Sequence, residues 1–353
     1  MPAPRLLHVG GVSNRGLAEI LKELRQHAKD CSLDGVGQWA VESEYHAKFD
    51  SLCHHVDMPL KGGLDSWRWS FVDPNKLLSH IVEASTLLTD LFSSAARRCP
   101  PSPQKHWSLV IGFDEFAPGN KLKVDNNRKC MNLSFSFLEL GQHALCNDLA
   151  WFTAVCVRSK MELCEGGWSN FLRVYLRQQL IGPLGIATSG VPLLLNGAHV
   201  LLFANLTNIL SDGDGIRIAF DWKGQGALKQ CFKHYNVFKK DSDLATRRAG
   251  YCEITCADPS RFKLWKRRDL ATSVDLLGMA ATRVTALAMT KVELEELQKT
   301  NGLNHNKHGL TADVELRAYV DPVACCTWDW VHNMLQDGTF TTEVAFTITH
   351  TCI

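Results

Sequence analysis

The middle of the chain carries apolar segments whose spacing differs from that of the two ends. Over short stretches the apolar side chains are continuous or alternate with polar ones, which is typical of β-strands. This pattern predicts strands at 107–113, 131–137, 150–157 and 199–210. Between the third and the fourth, residues 166–182 have apolar positions at helical spacing. The expected order is therefore three strands, a helix and a fourth strand.

Helical periodicity predominates on both sides of this middle region. Residues 14–30 and 75–98 have apolar positions three and four apart, and a Cys-Pro-Pro-Ser-Pro segment at 99–103 ends the second pattern. Further amphipathic segments follow residue 260, one of them with a capping box predicted from Thr290 and Glu293. The predicted regions are a helical N-terminal region (1–104), a core (105–260) and a helical C-terminal region (261–353).

Composition indicates a globular protein without a global preference for nucleic acid. The chain has 353 residues, of which 45% are hydrophobic and 21% charged, so it can bury a large core. Lysine and arginine number 38 and aspartate and glutamate 37. Because these charges balance, any binding of nucleic acid depends on local basic patches.

The cysteines and the most apolar window bear on location. The 13 cysteines lie scattered, and residues 1–20 lack the apolar core of a secretion signal. Both observations favour reduced thiols in a nuclear or cytoplasmic protein that is not secreted. The most apolar window, 190–210, contains Asn196, His199, Asn205 and Asn208, which favours buried strands over a membrane span.

Two carboxylates, Asp114 and Glu115, directly follow the first predicted strand. Charges at the end of an apolar run are costly unless solvent, a partner or a metal meets them. Three strands, a helix and a fourth strand ending in an acid are the element order of an RNase H-like fold, an α/β fold with a mixed sheet. In that sheet the first strand lies centrally beside the fourth, so Asp114 and Asp212 are expected to meet and bind Mg²⁺ or Mn²⁺.

A simpler interpretation stays open for both acids. Asp114 is also typical of a solvated residue at the start of a loop. Asp212 lies in Ser-Asp-Gly-Asp-Gly, a sequence typical of turns. A calcium-binding EF-hand is excluded, because Arg217 occupies the position where that loop needs glycine.

Three blocks of sequence, in this order, resemble those of CACTA-type transposases and their eukaryotic relatives. They are GFDEFAPGN followed by DNNRK, then ILSDGDGIRIAFDWKGQGALKQCFKHYNV, then TWDWVHNML, and they lie within roughly residues 105–335. The resemblance implies metal-dependent cleavage and transfer of DNA strands, with transposon ends as the partner and no membrane. Alternatives are a truncated or inactive copy, a non-enzymatic nucleic-acid or protein binding module, and an unrelated α/β protein. Assembly into a homo-oligomer also stays open.

The same resemblance assigns the catalytic acids. Asp114 corresponds to the first metal ligand, Asp212 to the second and Asp329 to the third. His332 is expected on the same helix face as Asp329, three residues away. Glu315 and Glu343 flank this block and are alternatives for the third ligand.

A second metal is suggested by Cys231 and His234. The related proteins have Cys-x-x-Cys here, and a Cys-x-x-His pair also binds Zn²⁺ tetrahedrally. Cys252 and Cys256 are the nearest candidates for the two remaining ligands. The alternative is that all three cysteines are ordinary buried thiols.

Two basic clusters are candidate contacts to nucleic acid, and the second surrounds a tryptophan suited to stacking on a base. The first cluster is Lys121, Lys123, Arg128 and Lys129, and the second is Arg261, Lys263, Trp265, Lys266, Arg267 and Arg268. The alternative for such runs is a solvated helix face.

Overall fold

A computed structural model describes residues 50–63, 65–116, 129–158, 163–243 and 249–328. Contacts divide the chain into two compact units, Met1–His55 and Val56–Ile353. The described part of the first unit is a short 3-10 turn, Asp50–Leu52, and the beginning of a strand. The helix predicted at 14–30 lies outside the described residues.

The described elements are mixed α/β. The strands are β1 (Cys53–Pro59), β2 (Ser66–Val72), β3 (Trp107–Phe116), β4 (Cys130–Phe137), β5 (Phe152–Arg158), β6 (Val191–Leu195), β7 (Ala198–Leu202), β8 (Ala204–Ser211), β9 (Val237–Phe238), β10 (Cys252–Glu253) and β11 (Cys326–Trp328). The α-helices are α1 (Pro74–Ala84), α2 (Thr86–Arg98), α3 (Gln142–Leu145), α4 (Gly167–Leu176), α5 (Gly213–Ala219), α6 (Arg267–Thr285), α7 (Lys291–Asn301) and α8 (Pro322–Cys325).

Five of the strands form one mixed sheet in the order β11-β8-β3-β4-β5. β3 pairs antiparallel with β4, and β4 pairs antiparallel with β5. β8 runs parallel to β3 on its other side, and β11 runs parallel to β8. This confirms the prediction that the first three strands are antiparallel neighbours and that the fourth lies beside the first.

The predicted strand at 199–210 is wrong as a single element. Its first part is β7, which pairs with β6 in a separate two-stranded sheet, and only β8 joins the main sheet. The pairing of β7 with β6 follows from the turn just upstream, where Asn196 and Gly197 have φ values of 50° and 81°. An Asn-Gly pair in this conformation forms a tight hairpin turn and folds the apolar run back on itself.

The described part of the N-terminal region, which was predicted to be mostly helical, also contains two strands. β1 and β2 form a two-stranded sheet in this region, and β2 buries Trp69 and Phe71 in the alternating pattern of a strand. The helical pattern at 75–98 is two helices, α1 and α2, because Ser85 has an extended conformation between them. The Ser85 hydroxyl then caps α2 by accepting the Leu88 N–H.

Helix α4 covers one face of the central strand. Leu109, Ile111 and Phe113 alternate along β3 and are all buried on this face. The Phe113 ring packs on Trp168 of α4, with ring centroids 5.5 Å apart. Burying this row of side chains fixes which face β3 turns toward the core and therefore where its last residues emerge.

The C-terminal region is helical from α6 to α7, and the predicted capping box of Thr290 and Glu293 is present. No helix in the described part of the chain is both long and apolar enough to cross a membrane. Among the described cysteines no pair forms a disulfide.

The turn between β6 and β7 gives a test of the hairpin. We expect Gly197→Ala to lower the free energy of unfolding by roughly 1–2 kcal/mol, because a side chain is disfavoured at a φ of 81°. The added methyl group itself would meet nothing within 4 Å, so the cost is conformational. Gly226 is an open position without a left-handed φ, and Gly226→Ala is the control, with an expected change within about 0.5 kcal/mol. Urea denaturation compares them, and equal stabilities would contradict the turn.

Candidate functional site

The ends of β3 and β8 bring Asp114 and Asp212 together. The parallel pairing joins Leu109 to Leu206, but the next residue, Val110, pairs with Asn208, so Thr207 forms a bulge. The pairing ends at Gly112 and Leu210, and the same offset continued by two residues puts residue 114 beside residue 212. Neighbouring strands lie about 4.8 Å apart, so the two acids emerge side by side at one edge of the sheet.

Both acids line one open cleft. Its volume is about 620 Å³, and its walls come from the ends of four strands and from Trp151. The lining residues are Gly112, Phe113, Asp114, Asn132, Ser134, Trp151, Leu210, Ser211, Asp212 and Thr327. Both acids therefore face one solvent-accessible space.

Asp114 and its neighbour Glu115 have separate roles. Asp114 is exposed, and its Oδ1 atom accepts the Glu115 N–H at 2.7 Å. Glu115 instead accepts a hydrogen bond from the Lys129 ammonium at 2.8 Å. Successive side chains of a strand point to opposite faces, which explains why only the first of the two carboxylates lines the cleft.

Asp212 is the N-cap of helix α5. Its Oδ1 atom accepts the Gly215 N–H at 2.5 Å, which satisfies one first-turn donor and fixes the carboxylate. Asp212 therefore has a structural role, as a helix cap and not as the turn residue of the simpler interpretation. It does not exclude the metal interpretation, because the cap occupies one oxygen atom and the residue still lines the cleft.

The start of α5 is packed too closely for any residue larger than glycine at position 215. A Cβ atom there would lie 2.0 Å from the Ser211 hydroxyl and 2.8 Å from Asp212 Oδ1. The Ser211 hydroxyl is itself buried and has no hydrogen-bond partner in the described structure. The packing at the start of α5 shields this oxygen from solvent, so it does not face the open cleft.

Sequence reasoning missed the polar side chains on the floor of the cleft. Asn132 pairs directly with Asp114 across β3 and β4, and Ser134 pairs with Gly112. At the other side, Asn208 donates a hydrogen bond to the Thr327 hydroxyl at 3.0 Å. The alternation of Asn132, Ser134 and Ser136 with apolar residues was the available signal, since it marks one polar face of β4.

The third acid is not described. Asp329 lies outside the described residues, as do His332 and Glu343, and the last described residue, Trp328, pairs with Ser211 at the end of β8. Glu315 is described, and it forms an ion pair with Arg177 and does not line the cleft. In the described part of the chain no three His, Cys, Asp or Glu side chains are grouped to hold a metal.

The candidate zinc ligands form two separate contacts. The Cys231 thiol lies 3.1 Å from His234 Nδ1, and burial lowers the pKa of His234, with Lys233 adding to the effect. The second contact joins Cys252 and Cys256, and burial, followed by Cys256, raises the pKa of the Cys252 thiol. The pairs do not form a group of three ligands in the described structure, and the zinc site stays a prediction.

The second basic cluster is exposed except for its aromatic residue. The exposed members are Arg261, Lys263, Lys266, Arg267 and Arg268. Trp265 is only 8% exposed and packs between Tyr235 and Lys229, whose ammonium lies 4.2 Å from its ring centroid. The predicted stacking of a base on Trp265 does not fit this burial, because both neighbours already cover the ring. Burial lowers the pKa of Lys229 to about 8.

In the first basic cluster only Lys129 is described, and it pairs with Glu115. Lys121, Lys123 and Arg128 lie outside the described residues.

Comparison of the chain with known family models and with curated proteins gives no match.

The double role of Asp212 can be separated by stability measurements. Asp212→Ala removes the cap of α5 and is expected to lower the free energy of unfolding by roughly 0.5–2 kcal/mol. Asp212→Asn removes the charge but keeps a capping oxygen, so its expected loss is smaller. Chemical denaturation of both variants checks this, and equal losses would contradict the capping role.

Proposed function

We propose that this chain is an RNase H-like protein that cleaves and transfers DNA strands with divalent metal ions, as CACTA-type transposases do. Asp114 and Asp212 are the metal ligands of this proposal, and Asp329 is the third acid. The observation that carries it is the register of β3 against β8, which brings two acids distant in sequence to one cleft.

Sheet topology supports the RNase H-like part of the proposal. Numbered by their sequence order within the main sheet, its strands run third, second, first, fourth, fifth across the sheet. Only the second strand is antiparallel to the rest, and a helix connects the third strand to the later ones. This is the arrangement in which the first and fourth strands carry acids to a common edge.

The chemistry of the cleft fits a hard divalent cation. Two carboxylates and the side-chain amide of Asn132 offer oxygen donors, which Mg²⁺ and Mn²⁺ prefer. Asp114 and Asp212 would hold the metal. A divalent ion held there would supply positive charge to activate the attacking oxygen and to stabilise the leaving oxygen of a phosphodiester.

The protein's own residues prepare the cleft for this role. The cap of α5 holds Asp212 in one orientation before any ligand binds, which lowers the entropic cost of binding. The ion pair of Glu115 with Lys129 keeps a further carboxylate out of the cleft. Asp114 is exposed, so it is accessible to solvent and to a substrate.

A second candidate function is binding of nucleic acid without catalysis. The exposed basic residues beginning at Arg261 favour it, since phosphate contacts need only positive charge at the surface. This function requires neither the acids nor a metal ion. The two proposals therefore differ in their dependence on Mg²⁺ and on Asp114.

Thermal melts test the metal site without a known DNA sequence. Wild type should gain about 1–3 kcal/mol of stability when Mg²⁺ is present at 10–100 times its dissociation constant. Asp114→Asn should abolish this gain while leaving metal-free stability unchanged or slightly higher, because it removes repulsion between neighbouring carboxylates. A loss of metal-free stability together with no effect of Mg²⁺ on the wild type would exclude the site.

A strand-cleavage assay tests the activity. With labelled DNA, cleavage or strand transfer should require Mg²⁺ or Mn²⁺ and should fall by at least about 100-fold in Asp114→Asn. Glu115→Gln is the matched control, since it neutralises the adjacent carboxylate that pairs with Lys129, and its activity should be near that of wild type. DNA binding with no metal-dependent cleavage by wild type would favour the non-enzymatic function.

A further inference from the structure

A small pocket with apolar walls lies between helix α6 and the segment 310–322. Its volume is about 260 Å³, and none of its lining residues is shared with the acid cleft. We call it the α6 pocket and define it by six of the residues that line it, Arg267, Arg268, Leu270, Val274, Leu316 and Val320.

The α6 pocket is larger than close packing usually leaves inside a domain. Protein interiors contain few voids larger than a water molecule. An apolar cavity of about 150 Å³ is enough to hold a molecule of benzene. At about 260 Å³ the α6 pocket therefore has room for one aromatic ring, or for an alkyl chain of similar size, together with a linker of a few atoms.

The walls of the pocket are held in place without a ligand. Leu316 and Val320 are core residues with exposed fractions of 0% and 4%. Arg317 forms one side, and its guanidinium donates to both carboxylate oxygens of Asp275, at 2.7 and 3.1 Å, and to the Thr311 carbonyl oxygen at 2.9 Å. A ligand would therefore meet a preformed apolar surface, which lowers the entropic cost of binding.

Two unpaired cations stand at the mouth of the pocket. Arg267 and Arg268 are exposed, whereas the rest of the lining is buried or half-buried. In the part of the chain that the structure describes, neither guanidinium has an ion-pair or hydrogen-bond partner. Each keeps its fork of N–H donors for an external acceptor, and a carboxylate matches that fork with two parallel bonds.

None of the described residues that line the pocket is an acid. Positions 267, 270, 271 and 274 recur at intervals of three and four residues, so they share one face of α6. At the same spacing Asp269 falls on the opposite side of the helix, and Asp275 is already paired with Arg317. The charge at the mouth is therefore complementary to an anion.

We propose that the α6 pocket binds a small organic carboxylate, in which a short linker joins the charged group to one aromatic ring or to an alkyl chain of similar size. The apolar part fills the space between Leu270, Val274 and Leu316, where burial of apolar surface drives binding. The carboxylate stays at the mouth, where Arg267 and Arg268 supply charged donors. The proposal does not involve the acid cleft, so it goes beyond the proposed function.

A nucleic acid accounts for only half of these features. A phosphate backbone would contact the two arginines but would leave the apolar space empty. A nucleobase turned into the pocket would bring polar edges against mostly aliphatic walls, which offer them few partners. A small molecule with one charge and one apolar group accounts for both the arginines and the space between the walls.

The test is calorimetric titration of the full chain with 3-phenylpropanoate. Saturable binding is expected, with a dissociation constant of roughly 0.01–1 mM for a ligand of this size. Two related compounds separate the contributions, since 3-phenylpropanol lacks the charge and acetate lacks the apolar group. Each should bind at least about 10-fold more weakly than 3-phenylpropanoate.

Two pairs of variants locate the ligand. Ala271→Phe places a ring in the pocket and should weaken binding at least about 20-fold, whereas Thr272→Phe, at the adjacent exposed position outside the lining, should bind as wild type does. The Arg267→Ala/Arg268→Ala double variant should weaken binding about 10-fold. Lys266→Ala removes a neighbouring charge outside the lining and should change the affinity by less than about 2-fold.

The outcomes that would overturn the proposal are equally definite. They are absence of saturable binding to wild type, equal binding of acetate and 3-phenylpropanoate, or wild-type affinity in either Ala271→Phe or the double arginine variant. The arginine variant changes only exposed side chains, so it stays informative if Ala271→Phe does not fold. A 12-nucleotide strand of thymidines should not displace the ligand, and displacement by it would assign the pocket to a nucleobase instead.

Discussion

The parallel pairing of β3 with β8 is the constraint on which the rest of the structure depends. Burial of Leu109, Ile111 and Phe113 fixes which face β3 turns toward the core. The register between β3 and β8 is then the remaining variable that decides which residues meet. The bulge at Thr207 changes that register by one residue, and the Thr207 hydroxyl bonds the Leu109 carbonyl oxygen at 3.2 Å. Without the bulge, residue 114 would lie beside Ser211, and the two acids would be out of step.

This part of the fold could be predicted from the sequence, because its signals are local and agree with one another. Apolar runs predict β3, β4 and β8, and the acid after each parallel strand predicts which ends meet. Register, by contrast, could not be predicted. It depends on one extra residue in β8, and Thr207 looks like any other strand residue in the sequence.

The predictions for other features failed, and the reasons are again physical. The Asn196-Gly197 turn was visible in the sequence, but the apolar run around it hid the hairpin. The burial of Trp265 was not visible, because a tryptophan among five basic residues looks like a surface residue until its neighbours Tyr235 and Lys229 are known.

The two acids differ in their importance for folding, because only Asp212 caps α5. Asp212 serves the folding of this chain whether or not it serves chemistry, since the first turn of α5 depends on its carboxylate. Asp114 is exposed, and within the described residues its carboxylate accepts a hydrogen bond only from the N–H of the next residue. Under the proposed function, selection for folding alone would retain Asp212 in a copy that had lost its activity on DNA and would allow residue 114 to change. Loss of the aspartate at position 114 would therefore indicate an inactive copy. Retention of Asp212 would give no information about activity, because folding alone requires it.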